Sequence, residues 1–221
     1  AYVSVARGFK AGGFNPAPTG LPAPAGTGSY GPERTWNYEL GHKARWLGNR
    51  LESIVALFYI DWDSLQLNQQ IPFSGGQYFI GNAGAANSKG VEVETRFYAF
   101  PWWELFGMVG YTRARFLGGS TALNSNLGVD EEVGGNTLPY APAFNSNMGT
   151  QISWAPSNRV SLYLRTQVSL TGDYVYDASN AMGQDTYALT SFRGGVRGRR
   201  WFAEGWVDNA FDTRYVPIAI P

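Results

Sequence analysis

Thr35-Trp-Asn-Tyr-Glu-Leu-Gly-His-Lys-Ala-Arg-Trp46 alternates residue by residue between two kinds of side chain. Trp36, Tyr38, Leu40, His42, Ala44 and Trp46 share one parity; Thr35, Asn37, Glu39, Gly41, Lys43 and Arg45 share the other. Side chains of a strand point to opposite faces with period two, so one face is apolar with an aromatic near each end and the other carries every formal charge. Turning Lys43 or Arg45 toward lipid near a bilayer midplane would cost roughly 2–4 kcal/mol. The pattern predicts a wall strand with its ions in an aqueous lumen and its aromatic ends at two membrane interfaces.

The same alternation returns further along the chain. Val91, Val93, Thr95 and Phe97 oppose Glu92, Glu94, Arg96 and Tyr98. Val160, Leu162, Leu164, Thr166, Val168 and Leu170 oppose Ser161, Tyr163, Arg165, Gln167, Ser169 and Thr171. Phe144, Met148, Ile152 and Trp154 oppose Asn145, Asn147, Gly149, Gln151 and Ser153. The stretches Leu51 to Trp62 and Trp201 to Val207 are apolar or small on both faces, and pattern alone does not orient them.

Nine strands are predicted, at about 1–9, 35–46, 50–63, 77–98, 103–117, 142–154, 159–171, 185–197 and 200–212. Short turns fall near Leu47-Gly-Asn-Arg50, Phe100-Pro-Trp102, Ala155-Pro-Ser-Asn158 and Gly198-Arg-Arg200, where glycine, proline or asparagine lets the backbone reverse. Long polar connections fall near 10–34, 64–76, 118–141 and 172–184. Short turns on one side and long loops on the other predict the all-β fold of an antiparallel transmembrane β-barrel. A soluble all-β binding domain is the alternative, and it gives no reason for that asymmetry.

Composition agrees. At 221 residues the chain fits one all-β domain, residues 1–221. Its longest uncharged apolar run, Ser53 to Ile60, falls far short of the roughly 18 residues a membrane helix needs. Aromatics make up 15%, with 8 Trp and 13 Tyr, the residues that favour membrane interfaces. Seventeen basic residues balance 17 acidic ones, so no basic field points to nucleic acid, and the lack of cysteine excludes a disulfide scaffold. The first and ninth predicted strands run the same way, so they do not close an antiparallel barrel on themselves. That mismatch, with the abrupt ends at Ala1 and at Val216-Pro-Ile-Ala-Ile-Pro221, points to part of a larger barrel.

Several short motifs carry a resemblance. Val3-Ser-Val-Ala-Arg-Gly-Phe-Lys-Ala-Gly-Gly-Phe-Asn15, Pro32-Glu33, Trp36-Asn-Tyr-Glu-Leu-Gly-His-Lys43, Leu57-Phe-Tyr-Ile-Asp-Trp62, Asn82-Ala-Gly84, Ser88-Lys-Gly-Val-Glu-Val-Glu94 and Trp206-Val-Asp-Asn-Ala-Phe-Asp212 with Tyr215 follow one another in order. Together they resemble the second half of the barrel of TonB-dependent outer-membrane receptors. The resemblance implies a barrel of about 22 strands with a plugged lumen, in the outer membrane of a Gram-negative bacterium. It implies that a plug domain outside this chain couples to the TonB complex, and that the cargo is a ferric siderophore or similar scarce nutrient. Cobalamin, thiamine or oligosaccharide importers share these wall motifs, and a passive porin-like channel would need no plug.

The motif residues have architectural readings. Gly12 and Gly13 would supply positive φ where the chain leaves its strand. Asn82, Gly84 and Gly90 would bend a very long strand. Glu39 and Lys43 would pair with charges on neighbouring strands.

No catalytic constellation, metal site or cofactor motif is read. His42 is the only histidine and sits on the apolar face of its strand. Asp61 with Asp63 and the run Asp130-Glu-Glu132 are read as solvated rim and loop charges. Partners are expected to be outer-membrane lipid, the iron–siderophore complex and, through the plug, the TonB complex. Recognition belongs to the outer loops and upper lumen, since loops on a rigid scaffold carry it. The candidate substrate contacts there are Tyr30, Trp62, Arg113, Arg115, Tyr174 and Tyr176, because aromatic and guanidinium groups suit an anionic, often aromatic iron chelate.

Overall fold

A computed structural model describes residues 1–20, 26–124 and 127–219. Part of the first long connection (21–25), part of the third (125–126) and the last two residues of the C-terminal stretch lie outside the described residues. The chain runs up β1 (Tyr2–Lys10), makes a ribbon of β2 (Gly13–Phe14) with β3 (Ser29–Tyr30), and comes down β4 (Glu33–Trp46). It rises again through β5 (Leu51–Asp63), forms a ribbon of β6 (Gln66–Gln70) with β7 (Tyr78–Asn82), and descends β8 (Ala86–Phe100). Next come β9 (Trp103–Phe116), the ribbon β10 (Thr121–Asn124) with β11 (Val129–Glu132), and β12 (Phe144–Ser157). Last are β13 (Val160–Thr171), the ribbon β14 (Tyr174–Val175) with β15 (Gly183–Gln184), β16 (Tyr187–Gly198) and β17 (Phe202–Val207). Nine long strands make one antiparallel sheet in the order β1-β4-β5-β8-β9-β12-β13-β16-β17, and every long connection carries its own two-stranded ribbon.

The ladder register fixes the faces. Glu39 stands opposite Phe58, Phe58 opposite Gly90, and Gly90 opposite Thr112, so their shared face continues from strand to strand. It bears the ion pairs Arg45–Glu52 at 3.0 Å, Arg96–Glu104 at 3.0 Å and Arg193–Glu204 at 3.8 Å. The opposite face exposes Val5 (58%), Leu40 (51%), Leu57 (50%), Trp154 (65%) and Leu164 (57%). A contiguous apolar face of this extent is what lipid covers in a barrel wall and what a water-soluble sheet avoids. The register also orients β5: Leu51, Val55, Leu57 and Tyr59 look outward, whereas Ile54, Ala56, Phe58 and Trp62 look inward.

On the ion-bearing face, four seams share a device. Tyr2 stands opposite Gly41, Phe58 opposite Gly90, Phe106 opposite Gly149 and Tyr163 opposite Gly195. Each ring lies so close that a Cβ on the glycine would meet it at 2.1, 2.6, 2.4 and 2.4 Å respectively. The ring fills the space that the missing side chain leaves, an interlock of aromatic and glycine across the ladder. Gly90 is thus the seat of Phe58 rather than a bend. Among the described residues Glu39 does not find a cation: it accepts the Tyr2 hydroxyl at 2.5 Å, while the Lys43 ammonium lies 5.7 Å from the Tyr2 ring.

The predicted strand 77–98 is two elements. β7 pairs with β6 in the ribbon, and the chain breaks at 83–85 before β8 begins. Gly84 has φ +101°, and a Cβ there would stand 2.8 Å from Ser120 Oγ, so both the backbone and the space demand glycine. Gly12 and Gly13 are absent from the positive-φ residues; they serve close approach, with a Cβ at 2.5 Å from the Tyr30 carbonyl and 2.6 Å from its hydroxyl respectively. The predicted strand 200–212 ends at Val207, because Asn209 (φ +49°) turns the chain and its amide bonds the Thr213 backbone in both directions, at 2.9 and 3.0 Å.

The apolar core of the described residues sits at the loop end of the wall. Leu65, Ala83, Ala86, Phe116, Ala122 and Val133 bury one another, with Trp62 and Leu138 packed against them. Side-chain amides staple the ribbons around that core. Asn15 Nδ2 donates to Ile80 O (2.8 Å) and Asn15 Oδ1 accepts from Ile80 N (2.9 Å). Gln66 Nε2 donates to Ala11 O and Gly31 O, Gln66 N donates to Glu33 Oε2 at 2.8 Å, and Gly31 N donates to Asn82 Oδ1 at 2.7 Å. The motif residues Asn15, Glu33, Asn82 and Gly84 are therefore loop fasteners.

Gly195→Ala is expected to cost about 1–3 kcal/mol by driving the Tyr163 ring off its seat. Adding Tyr163→Ala should recover much of that loss. Urea midpoints of the folded, heat-modifiable form check this; a Gly195→Ala midpoint equal to that of the unsubstituted protein would mean the ring is free to leave.

Candidate functional site

Three ribbons and the segment after β17 line a half-open cavity of ≈ 680 Å³ above the sheet. The β6–β7 ribbon contributes Leu67, Gln69, Gln70 and Tyr78, the β10–β11 ribbon Leu123 and Glu131, and the β14–β15 region Tyr176, Asp177 and Met182. Tyr140 and Ile218 complete one wall. A size of several hundred Å³, mostly apolar walls and a few convergent polar groups are the usual features of a small-molecule site.

Three tyrosines build that wall as a unit. Ring centroids of Tyr140 and Tyr176 lie 5.8 Å apart, and those of Tyr174 and Tyr176 5.6 Å apart, both edge to face, the arrangement that the ring quadrupoles favour. Their hydroxyls converge on one strip of backbone: Tyr176 donates to Val216 O at 2.6 Å, Tyr174 to Val216 O at 3.2 Å and Tyr140 to Ala219 O at 3.0 Å. Burial pushes the phenols of Tyr140 and Tyr174 above their ordinary range, and burial raises Tyr78 as well. Loss of water penalises the phenolate, so these groups stay neutral donors well past physiological pH.

The polar groups facing the cavity are amides and carboxylates. Gln70 lines the cavity, but its Oε1 is buried out of reach of it and has no hydrogen-bond partner among the described residues. Gln69 Oε1 accepts the Leu123 amide at 2.6 Å, and Glu131 accepts Asn124 Nδ2 at 2.7 Å. Asp177 folds its carboxylate onto Ala181 N (3.1 Å), Met182 N (3.0 Å) and the Ser179 hydroxyl, closing its own turn. Among the described residues that line the cavity there is no lysine or arginine. Nor, among them, do three His, Asp or Glu side chains gather in a metal-holding group.

The six candidates read from sequence do not meet in one place. Tyr176 lines the cavity and Tyr174 packs against it. Trp62 faces inward at the top of β5 and packs on the rim core. Tyr30 covers Gly13 in the first ribbon. Arg113 and Arg115 leave the group: they share the outward parity of Leu105 and Tyr111 on β9, with Arg113 opposite Lys89 and Arg115 opposite Asn87. They stand on the wall's outer side rather than in the upper lumen. Gln69, Gln70, Tyr78, Tyr140 and Met182 were not singled out. No periodicity marks them, because the ribbons that present them are too short to show one.

Asp61 and Asp63 also face outward, and Asp63 pairs with Arg34 at 3.9 Å, as rim charges do. His42 lies on the same face, 6.4 Å from the Trp46 ring.

Comparison with known proteins extends these observations. The family described as TonB dependent receptor-like, beta-barrel, matches residues 1–210. The pesticin receptor of Yersinia enterocolitica is 32% identical over 221 residues, 97% of this chain and 29% of that protein. The ferric-pyoverdine 358 receptor of Pseudomonas putida is 28% identical over 188 residues, 83% of this chain and 21% of that protein. The crystal structure of the ferric yersiniabactin uptake receptor from Yersinia pestis superposes with a TM-score of 0.75 at 27% identity, covering 98% of this chain and 30% of that one. The chain thus spans less than a third of the length of these proteins.

Removing one phenol tests the wall of the cavity. Tyr176→Phe deletes the bond to Val216 O, a contribution of about 1 kcal/mol, so amide exchange at 216–219 should quicken about fivefold. Hydrogen-exchange mass spectrometry of that peptide reads it, and unchanged protection would detach the segment from the tyrosine cluster.

Proposed function

Since this chain belongs to the TonB-dependent receptor family, within its β-barrel domain, we propose that residues 1–221 are a nine-stranded part of a closed barrel in the outer membrane of a Gram-negative bacterium. The complete receptor imports a ferric siderophore, with energy from the TonB complex arriving through a plug domain. The family is one of receptors and transporters, and no enzymatic activity is proposed. Relatives named for ferric-pyoverdine and ferric yersiniabactin support an iron chelate as cargo.

The cavity among the outer ribbons carries this reading further. Neutral phenols, the carboxylates of Glu131 and Asp177 and, among the described residues, no lining cation favour a chelate of low charge that brings aromatic or heterocyclic rings. An anionic catecholate complex would meet repulsion there. The chelate would rest against Tyr176 and Met182 before passing into the lumen. Its loss of hydration is offset by ring contacts, each worth about 0.5–1.5 kcal/mol beyond burial.

Uptake of radiolabelled iron by iron-starved cells that carry the complete receptor as their sole siderophore receptor tests the proposal. Neutral chelates should be imported and highly anionic ones refused. Tyr176→Ala with Gln70→Ala should weaken uptake at least about tenfold, equivalent to about 1.4 kcal/mol. Disruption of the TonB complex should abolish it. Uptake indifferent to that disruption would make the protein a passive channel.

A further inference from the structure

The inward face is cationic from β12 to β17, where it carries Arg165, Arg193 and Arg197 against a single acid, Glu204. Arg165 on β13 stands directly opposite Arg193 on β16, and cations so placed repel and destabilise a ladder. Arg197 lies four residues nearer the short turn, in the pair next to the last of that ladder, with the Tyr163 ring seated on Gly195 between it and Arg193. Glu204 is already engaged: it lies 3.8 Å from Arg193 and accepts the Tyr163 hydroxyl. Glu104, on the inward face of β9, is held by Arg96 at 3.0 Å.

Among the described residues neither Arg165 nor Arg197 has an ion-pair partner. Arg165 rests 3.9 Å from the centroid of the Phe106 ring and donates to Gln167 Oε1 at 3.1 Å, and Arg197 lies 5.5 Å from the centroid of Phe202. A guanidinium stacked on a ring keeps its planar fork of N–H donors, the shape that grips a carboxylate at two points. With Ser153 and Ser161 these groups line a half-open groove of ≈ 440 Å³ on the inward face.

The two ends of the wall differ in sign as well. The long connections, 11–32, 64–85, 117–143 and 172–186, carry Asp130, Glu131, Glu132, Asp173, Asp177 and Asp185 and no lysine or arginine. The short turns, 47–50, 101–102, 158–159 and 199–201, carry Arg50, Arg159, Arg199 and Arg200 and no acid. Arg159 and Arg199 adjoin Val160 and Gly198, the last pair of the ladder that bears the groove, so the groove opens toward the positive end. Such a field leaves a ligand of low net charge free to pass the outer loops and turns its anionic group toward the short turns.

We propose that Arg165, Arg193 and Arg197 form an inner subsite for a free carboxylate of the cargo, a ferric chelate whose iron offsets its other anionic donors. Bound between Arg165 and Arg193, the carboxylate makes charge-assisted hydrogen bonds and supplies the counter-ion that the like-charge pair lacks. This subsite is separate from the cation-free cavity among the ribbons, and it rests on the import reading given above.

Calorimetric titration of the complete receptor in detergent, at low ionic strength, tests the subsite with tricarballylate, a metal-free tricarboxylate, and with its uncharged trimethyl ester. The acid should bind and the ester should not. Arg165→Gln with Arg197→Gln should weaken the acid more than about tenfold, whereas Arg113→Gln on the outer face leaves it unchanged. Heat-modifiability on a gel shows that each variant is folded. Equal binding by the double variant, equal binding of the ester, or no binding of millimolar acid by the folded, unsubstituted receptor would each overturn the subsite. The last is the result if a carboxylate of the plug domain already fills the groove. Iron uptake indifferent to the TonB complex would overturn the import reading alone, since the calorimetry does not draw on transport.

Discussion

Each of the seven wall strands between β1 and β17 satisfies its backbone through the strand on either side, in a sheet one layer thick. Among the described residues no second layer packs against it, so the side chains cannot be sorted into core and surface as in a sandwich. They are sorted by solvent. Below the loop end, where Arg7, Arg34, Asp61, Asp63, Lys89, Arg113 and Arg115 face outward, apolar residues take the face that lipid would wet and ionic residues the face that looks inward, and the register between strands holds that division in step. Because the sheet has no interior of its own, the buried apolar cluster moves to the rim, where Phe116 and Val133 are 1% exposed beneath the ribbons.

That rim carries both the fasteners of the fold and the cavity proposed above for recognition. Asn15, Glu33, Gln66 and Asn82 spend their polar groups on the backbone of neighbouring loops. The ribbons are thereby held as walls for the cavity and not as free loops. A ligand entering such a frame finds its partners already ordered, so little of its binding energy goes into arranging the protein. The tyrosine trio has the same character, since each hydroxyl is already bonded to the segment after β17 and offers mainly its ring.

The alternation in Thr35–Trp46 disclosed the wall, because period-two patterning survives wherever two solvents of opposite polarity touch one strand. All nine wall strands were predicted, four of them with their facing fixed by that pattern, whereas the second long connection was placed at 64–76 and runs on to 85 before β8 begins. The ribbons were not legible: elements of two to five residues leave no periodic trace, and their pairing depends on contacts between loops distant in sequence. The strand predicted over 77–98 joined β7 to β8 because nothing in composition separates them except Gly84. Arg113 and Arg115 were assigned by residue chemistry although their parity with Leu105 and Tyr111 carried the opposite information. The cavity residues Gln70 and Tyr140 had no signal at all.

The rings seated on glycines fall on the seams β1/β4, β5/β8, β9/β12 and β13/β16, those joined by long connections. Three of the seams closed by short turns, β4/β5, β8/β9 and β16/β17, carry ion pairs instead. A short turn dictates alignment by its own geometry, whereas a long connection leaves two strands free to slide. A slip of two residues would push Phe58 against Ser88 or Glu92, and Tyr163 against Arg193 or Arg197. Each glycine is thus a keyhole that admits its ring at one alignment alone, so the loosely tethered strands carry their own proofreading into assembly.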